Sequence, residues 1–306
     1  MPYTWHEQQK ELITTKAHEY NEGIYFDNIR DFNLRHTFDC GQCFRWSEDN
    51  DGSYIGVAYG RAVRMILEGD RLYIKGGKIE DEELWKHYLD LERDYGSIKD
   101  KLSEDEILKT AISHGEGIRI LNQEPFETTI SFIISANNRI PMIKRAVENI
   151  AQRFGEPVEL EGRTYYSFPT PSMLSKAAEE ELKACGCGFR ASYIVSTTQR
   201  IVSGEVSLET MKTLGTDEAQ KELMALSGIG PKVADCILLF SMGKYDAFPV
   251  DVWVKRVMQY FYLAPDVSLK KIRDFGRSQF GNLAGFAQEY LFYYARDLKG
   301  KEGLEK

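Results

Sequence analysis

The chain has 306 residues, 42% hydrophobic and 28% charged, enough to bury a core in each of two domains and too apolar for disorder to be the default. The first thirty residues interleave charges with aromatics and hold no apolar h-region, and no run reaches the roughly eighteen apolar residues of a membrane span, so the expectation is a soluble, cytoplasmic protein without membrane contact. A net charge of −8, from 39 Lys+Arg against 47 Asp+Glu, at first argues against nucleic acid as partner.

Taken along the chain, the pattern between about Ile24 and Gly77 is strand-like. CFRWSE, SYIGVAYG, RAVRMIL and RLYIKG are rich in β-branched and aromatic residues, and Asn50-Asp51-Gly52 and Glu68-Gly69-Asp70 supply turn chemistry between them. An antiparallel sheet is predicted. From Glu80 the period lengthens, and DEELWKHYLDLERDYG places Leu84, Tyr88 and Leu91 on one helical stripe with an acidic solvated face. Lys78 to Glu106 carries eleven acids against five bases, so much of the negative charge is local. Asn137 to Phe154 has four bases against Glu148 alone, and Ser268 to Lys299 has six bases against three acids. DNA binding through placed contacts, not bulk attraction, is therefore compatible with the composition.

Ser113-His114-Gly115-Glu116-Gly117 reads as a joint, dividing the chain into residues 1–115 and 116–306. From Phe126 onward only helical patterns are found, including FETTISFIISANN, MIKRAVENIAQRFG, SMLSKAAEEELKAC, DEAQKELMAL, KVADCILLFSM, VWVKRVMQYFYL and LAGFAQEYLFYYARDL. The predicted fold class is α+β: an N-terminal antiparallel sheet domain followed by an all-helical domain, with the site between them.

Five cysteines, Cys40, Cys43, Cys185, Cys187 and Cys236, suit reduced thiols. Cys40 and Cys43 form a CxxC without a second pair at ligand spacing, which argues against zinc or redox chemistry, and no four-cysteine cluster suggests an iron-sulfur centre.

Leu226-Ser227-Gly228-Ile229-Gly230-Pro231-Lys232 joins two apolar helices through a two-glycine turn. Alone it would read as a tight helix-helix connection. Its uncovered amides at a new helix N-terminus could also receive a phosphate, and Pro231 fits a first helical turn. The continuation KVADCILLFSMGKYDAFPVDVWVKRV adds Gly243 at a helix end and Asp251 after Pro249. Lysine at a helix start is electrostatically ill placed, which favours a chemical role. Asp251 reads as an N-cap, held ionised. Cys236, four residues after Lys232, shares its helix face.

On these residues the sequence resembles the helix-hairpin-helix glycosylases of the endonuclease III superfamily. Within them CGQCFRW, FIISANN, GFRASY, GPKVADC, FPVDV and GFAQEYLF, in this order over roughly Ile24 to Leu298, resemble the 8-oxoguanine DNA glycosylase/AP lyase family. The resemblance implies a lesion base flipped out of duplex DNA, Lys232 as nucleophile and Schiff-base amine, and Asp251 as the carboxylate facing the sugar cation. It implies Cys236 and Phe292 against the two faces of the base, Gln288 on its Watson-Crick edge, and Pro249 beside it. A Gly41 carbonyl would accept the N7–H that distinguishes 8-oxoguanine from guanine. Asn137 would fill the vacated stack, Phe189 would wedge beside the orphan base and Arg190 would bond it, while Gly228, Gly230 and Trp253 would meet the backbone. The sequence departs from the family in having Met142 where a second arginine for the orphan cytosine is common, Phe189 for a tyrosine, and Trp253 for a histidine. No cofactor is expected, save for a monovalent cation on the 226–231 turn, and the expected partner is double-stranded DNA with an oxidised purine, bound by a monomer. A glycosylase for another damaged purine, and a hairpin DNA-binding module without chemistry, are the alternatives.

Overall fold

The computed structural model describes residues 15–298; residues 1–14 of the N-terminal stretch considered above, and the chain from Lys299 on, lie outside the described residues. Six antiparallel strands form one sheet: β1 Ala17–Tyr20, β2 Gly23–Phe26, β3 Trp46–Glu48, β4 Tyr54–Ala58, β5 Arg61–Glu68 and β6 Arg71–Lys75, in the spatial order β1-β2-β6-β5-β4-β3. The sheet begins before Ile24, and CFRWSE contributes only its last three residues to a strand. Both sequence turns stand where predicted, at 49–53 between β3 and β4 and at 69–70 between β5 and β6. Alternation along β6 buries Leu72 and Ile74, which pack with Phe26, Val63, Met65 and Trp85 into one apolar cluster. Trp46 stacks on Phe38 at 4.2 Å between ring centroids and donates its indole N–H to the Tyr88 hydroxyl at 2.6 Å.

The acidic helix is shorter than its pattern suggested. It spans Glu82–Tyr88, burying Trp85 and Tyr88, with Leu84 half-exposed and Leu91 buried in the loop beyond. The apolar cores also interleave across the 113–117 joint. Tyr95, Ile98, Leu102, Leu108 and Ala111, which precede it, belong to the helical cluster, whereas Leu121, which follows it, packs with the sheet.

The C-terminal half departs from all-helical in one place. β7 Pro157–Leu160 and β8 Arg163–Tyr166 form a hairpin through Glu161-Gly162, both at positive φ (51° and 72°), a turn whose twist suits two strands. Glu161 then pairs with Arg64 of β5 at 2.8 Å, and Arg45 donates to the Tyr166 carbonyl, so the hairpin ties the helical region to the sheet. The pattern SMLSKAAEEELKAC is likewise broken, into Pro171–Leu174, Glu179–Leu182 and a wide turn at Lys183–Cys187 where Gly186 takes φ 95°. The basic stretch after Ser268 is an amphipathic helix, Leu269–Phe280, capped by the Ser268 hydroxyl. No helix among the described residues is long and apolar enough to cross a membrane.

Candidate active site

Five segments meet at one cavity of about 470 Å³, among them the 132–143 stretch that carries Asn137 and the four taken in turn below. The first is the loop 39–45. Gln42, fully buried, pins it: the amide nitrogen donates to the carbonyls of Thr37 at 2.9 Å and Arg119 at 2.7 Å, and the amide oxygen accepts from Leu121 N–H at 2.8 Å. Gly41 beside it has φ 100°, and a Cβ there would come within 3.4 Å of the Phe292 ring. The contact is an ordinary one, so it is the left-handed conformation that requires glycine. Gln42 was missed by the sequence reading, which had only the buried polar residue in an apolar run as a signal.

The second segment is the turn 226–230 and the helix Pro231–Ser241. Gly228, at φ 81°, closes the turn against Tyr193, and Gly230 caps the helix with nothing within 4 Å of a Cβ built on it. Gly243, at φ 65°, follows the last turn of the helix. Lys232 is half-buried, with Nζ 5.2 Å from the centroid of the Phe132 ring, and among the described residues it makes no ion pair. Cys236 is buried one turn on. Burial pushes its thiol up to about 12, with Lys232 opposing, so it faces the cavity as a neutral, unreactive sulfur.

The helix that carries Lys232 is anchored from behind. Asp235, 1% exposed, accepts from Arg273 Nε at 2.6 Å and Nη2 at 3.1 Å, and from Gln220 at 2.7 Å; Arg273 also reaches Asp217. Removing one member of such a buried pair typically costs 3 to 5 kcal/mol. Asp235→Ala is expected to lower stability by roughly 3 kcal/mol in urea denaturation, at the low end because Asp217 still partners the guanidinium. A loss under about 1 kcal/mol would show that the pair does not hold this helix.

The third segment is the Pro249-to-Trp253 corner. Asp251 caps the helix Val252–Phe261, accepting from Trp253 N–H at 2.9 Å and Val254 N–H at 2.8 Å, as expected of an N-cap. Its ionisation is less secure than the sequence reading assumed. Burial raises the carboxyl above the ordinary aspartate range, and the two amides with Lys232 offset that only in part. Pro249 and the half-buried Trp253 line the cavity, and Arg256 lies 5.1 Å over the indole.

The fourth is the helix Ala284–Asp297, which presents Gln288, Glu289, Phe292 and Arg296 to the cavity. Gly285 packs against Leu239 and lets this helix close on the Lys232 helix. Glu289 was not singled out from sequence, although an acid inside the apolar run LAGFAQEYLFYYA was a visible signal.

Lys232, Asp251, Gly41, Cys236, Pro249, Gln288, Phe292, Trp253 and Asn137 thus share one cavity, while Phe189, Arg190, Gly228 and Gly230 lie outside its lining. Asn137 stands exposed at its rim with φ 51°. Arg190 is buried and already engaged: Nε and Nη2 donate to the Ala136 carbonyl and Nη2 also to that of Asn137. It braces the Asn137 loop, which leaves Nη1 for a base. Phe189 is 60% exposed, backed by the Arg190 guanidinium at 4.5 Å and by Tyr193, and Met142 is also exposed. Among the described residues no group of three or more His, Cys, Asp or Glu could hold a metal ion.

The chain is similar to known DNA repair proteins. Residues 25–129 match the family described as 8-oxoguanine DNA glycosylase, N-terminal domain, and residues 130–278 match the HhH-GPD superfamily of base excision DNA repair proteins. A probable N-glycosylase/DNA lyase of Methanothermobacter thermautotrophicus is 35% identical over 213 residues, 63% of this chain and 68% of that protein. An N-glycosylase/DNA lyase of Arabidopsis thaliana is 30% identical over 84% of this chain and 75% of its own. The Clostridium acetobutylicum 8-oxoguanine glycosylase/lyase, solved with double-stranded DNA containing cytosine opposite 8-oxoguanine, superposes with a TM-score of 0.91 at 51% identity, covering 92% of this chain and 98% of that one. A 3-methyladenine DNA glycosylase from Archaeoglobus fulgidus is more distant, with a TM-score of 0.73 and 25% identity over 89% of this chain and 98% of that one.

Proposed function

Because the chain belongs to the 8-oxoguanine DNA glycosylase family of the HhH-GPD superfamily, we infer that it is a bifunctional DNA glycosylase/AP lyase that excises 8-oxoguanine from duplex DNA. One observation carries the inference: an amine without an ion-pair partner among the described residues, Lys232, shares a cavity roomy enough for a flipped base with a capped carboxylate, Asp251. The Lys232 amine, once neutral, attacks C1′ as the N-glycosidic bond breaks, and the base leaves with the bonding electron pair. Asp251 stabilises the positive charge that develops on the sugar. The amine then gives up a proton and the sugar ring opens, the C1′–O4′ bond breaking and O4′ taking that proton, which leaves C1′ bound to Lys232 as a Schiff base; this acidifies the C2′ hydrogen, whose loss expels the 3′ phosphate by β-elimination. Cys236 and Phe292 clasp the extruded base, Gln288 meets its Watson-Crick edge, and the Gly41 carbonyl accepts N7–H.

Borohydride reduction in the presence of 8-oxoguanine duplex should trap the protein covalently on the DNA. No adduct, with excision intact, would point to a monofunctional relative, and neither adduct nor excision would leave only a hairpin DNA-binding module.

Asn137 enters the vacated stack, Phe189 wedges beside the orphan base, and the amides of Gly228 and Gly230, with Trp253, meet the backbone. Carbonyl oxygens of the 226–231 turn would hold a monovalent cation, which would supply positive charge near a phosphate. The protein acts as a monomer on cytoplasmic, nucleoid DNA. Its net charge of −8 makes those placed contacts responsible for affinity.

Opposite-base selectivity should be loose. With Met142 exposed where an arginine would reach the orphan cytosine, one base contact worth roughly 1 to 3 kcal/mol of discrimination is missing. Single-turnover excision is expected opposite all four bases with cytosine modestly preferred, and Met142→Arg should widen that preference by about tenfold or more. Strict cytosine dependence of the unaltered protein would refute this.

A further inference from the structure

The base cavity holds a group that the mechanism above does not use. Glu289 follows Gln288 on the helix Ala284–Asp297 and lines the same cavity, yet it is 2% exposed and its buried Oε1 has no hydrogen-bond partner among the described residues; nor has the Oε1 of Gln288. An unpartnered buried oxygen is costly. Two of them in one cavity point to a ligand that supplies the missing partners.

The titratable and charged groups around Glu289 come from every neighbouring segment: Cys40 and Cys43 from the pinned loop, Lys232 and Cys236 from the hairpin helix, Asp251 from the next corner, and Arg296 from its own helix. Neither cation is in ion-pair contact with it. Burial prevails over the hydrogen bond with the Cys40 thiol and the attraction of the two cations and pushes the carboxyl up to about 7, so the neutral acid is well populated at neutral pH. A flipped base and its sugar would bury the group further.

Which edge of the base meets Glu289 follows from its neighbours. On the rim of a guanine, N1–H, the C6 carbonyl and N7 follow in that order. Gln288 reads the N1 side and the Gly41 carbonyl reads N7–H, on the assignment above. Glu289 stands beside both readers, next to Gln288 in the chain and with its carboxyl against the Cys40 thiol, one residue before Gly41. The edge left between them is the C6 oxygen, which accepts and needs a donor. The Cys40 thiol cannot supply it, because it already donates to the Thr37 carbonyl at 3.1 Å and lies against the Glu289 carboxyl. A carboxylate would repel the C6 oxygen, whereas a carboxylic acid bonds it.

We propose that Glu289, in its protonated form, donates a hydrogen bond to the C6 carbonyl of the flipped base and thereby selects 6-oxo over 6-amino purines. The proposal rests on the base-pocket assignment given above and adds to it a specificity residue. Because a 6-amino purine presents a donor at the same place, it leaves the acid proton unpartnered.

The test is single-turnover excision by wild type, Glu289→Gln and Glu289→Ala from duplexes containing 8-oxoguanine or 8-oxoadenine, between about pH 5.5 and 9. The amide of Glu289→Gln donates at every pH, so this variant should outrun wild type on 8-oxoguanine by roughly tenfold above about pH 8, the ratio changing through the titration of the acid. Glu289→Ala should lose about tenfold on 8-oxoguanine at pH 6 and narrow the preference over 8-oxoadenine. A ratio of Glu289→Gln to wild type that does not vary with pH, or a Glu289→Ala variant with wild-type rate and preference, would overturn the proposal. If Glu289→Ala fails to fold, the pH dependence of the Glu289→Gln ratio decides alone. Wild-type protein inactive on 8-oxoguanine at every pH would instead refute the substrate assignment on which the proposal rests.

Discussion

Lys232→Gln is expected to abolish base removal and strand nicking together while leaving a folded protein that still binds lesion DNA. The two activities share one atom in the mechanism, so losing the amine cannot spare either. The fall should be on the order of 10⁴-fold or more, the scale on which enzymes lose rate with their nucleophile. Folding should be little affected. Lys232 is half-buried, forms no ion pair among the described residues, and sits in the first turn of its helix, where a positive charge opposes the dipole. Its contact with the Phe132 ring at 5.2 Å is worth at most about 1 kcal/mol at such a site. Thermal melting should therefore shift by only a degree or two in either direction. Equilibrium binding to an 8-oxoguanine duplex, measured beside borohydride trapping, separates the readings. Retained binding without adduct or nicking supports the assignment; nicking at the wild-type rate sinks it.

Much of this site was legible because its chemistry is compressed into short segments. Gly-Ile-Gly-Pro-Lys fixes the turn and helix start through backbone preferences that only glycine and proline supply, and Phe-Pro-Val-Asp does the same for the Asp251 cap. Gln288 and Phe292 at i and i+4 had to share a face. The structure accordingly brings Lys232, Cys236, Asp251, Gln288 and Phe292 around one cavity.

What local pattern could not give were properties set by distant partners. The β7–β8 hairpin is four residues a side, too short for a period of two to stand out, and it is held by Arg64 and Arg45 from the sheet domain. Gln42 acts through Thr37, Arg119 and Leu121, two of them nearly eighty residues away. Arg190 looked free to meet a base, yet nearby carbonyls of the 136–137 loop hold it. The Asp251 cap was visible, but the degree to which burial offsets its hydrogen bonds depends on distant segments closing over it.

That burial shapes the second large effect, which is expected from Asp251→Asn. Asparagine keeps the side-chain oxygen that accepts from Trp253 and Val254 N–H, so the helix Val252–Phe261 remains capped and stability should fall by well under 1 kcal/mol. The negative charge is lost, and with it the stabilisation of the sugar cation. One preorganised electrostatic group of this kind is typically worth about 10² to 10³ in rate, so base excision should slow by that factor and by less than in Lys232→Gln. The pH profile carries an independent sign. Only the ionised carboxylate stabilises a cation, and burial raises its protonation above the ordinary aspartate range, so the wild-type rate should fall on acidification earlier than an exposed aspartate would allow. In Asp251→Asn the part of that limb due to the carboxylate should disappear, leaving a slower rate that depends less steeply on acidification. Single-turnover excision across the acid range, with a melting curve at each pH, tests both parts. Normal excision per folded molecule together with a large loss of stability would return Asp251 to the role of a helix cap alone.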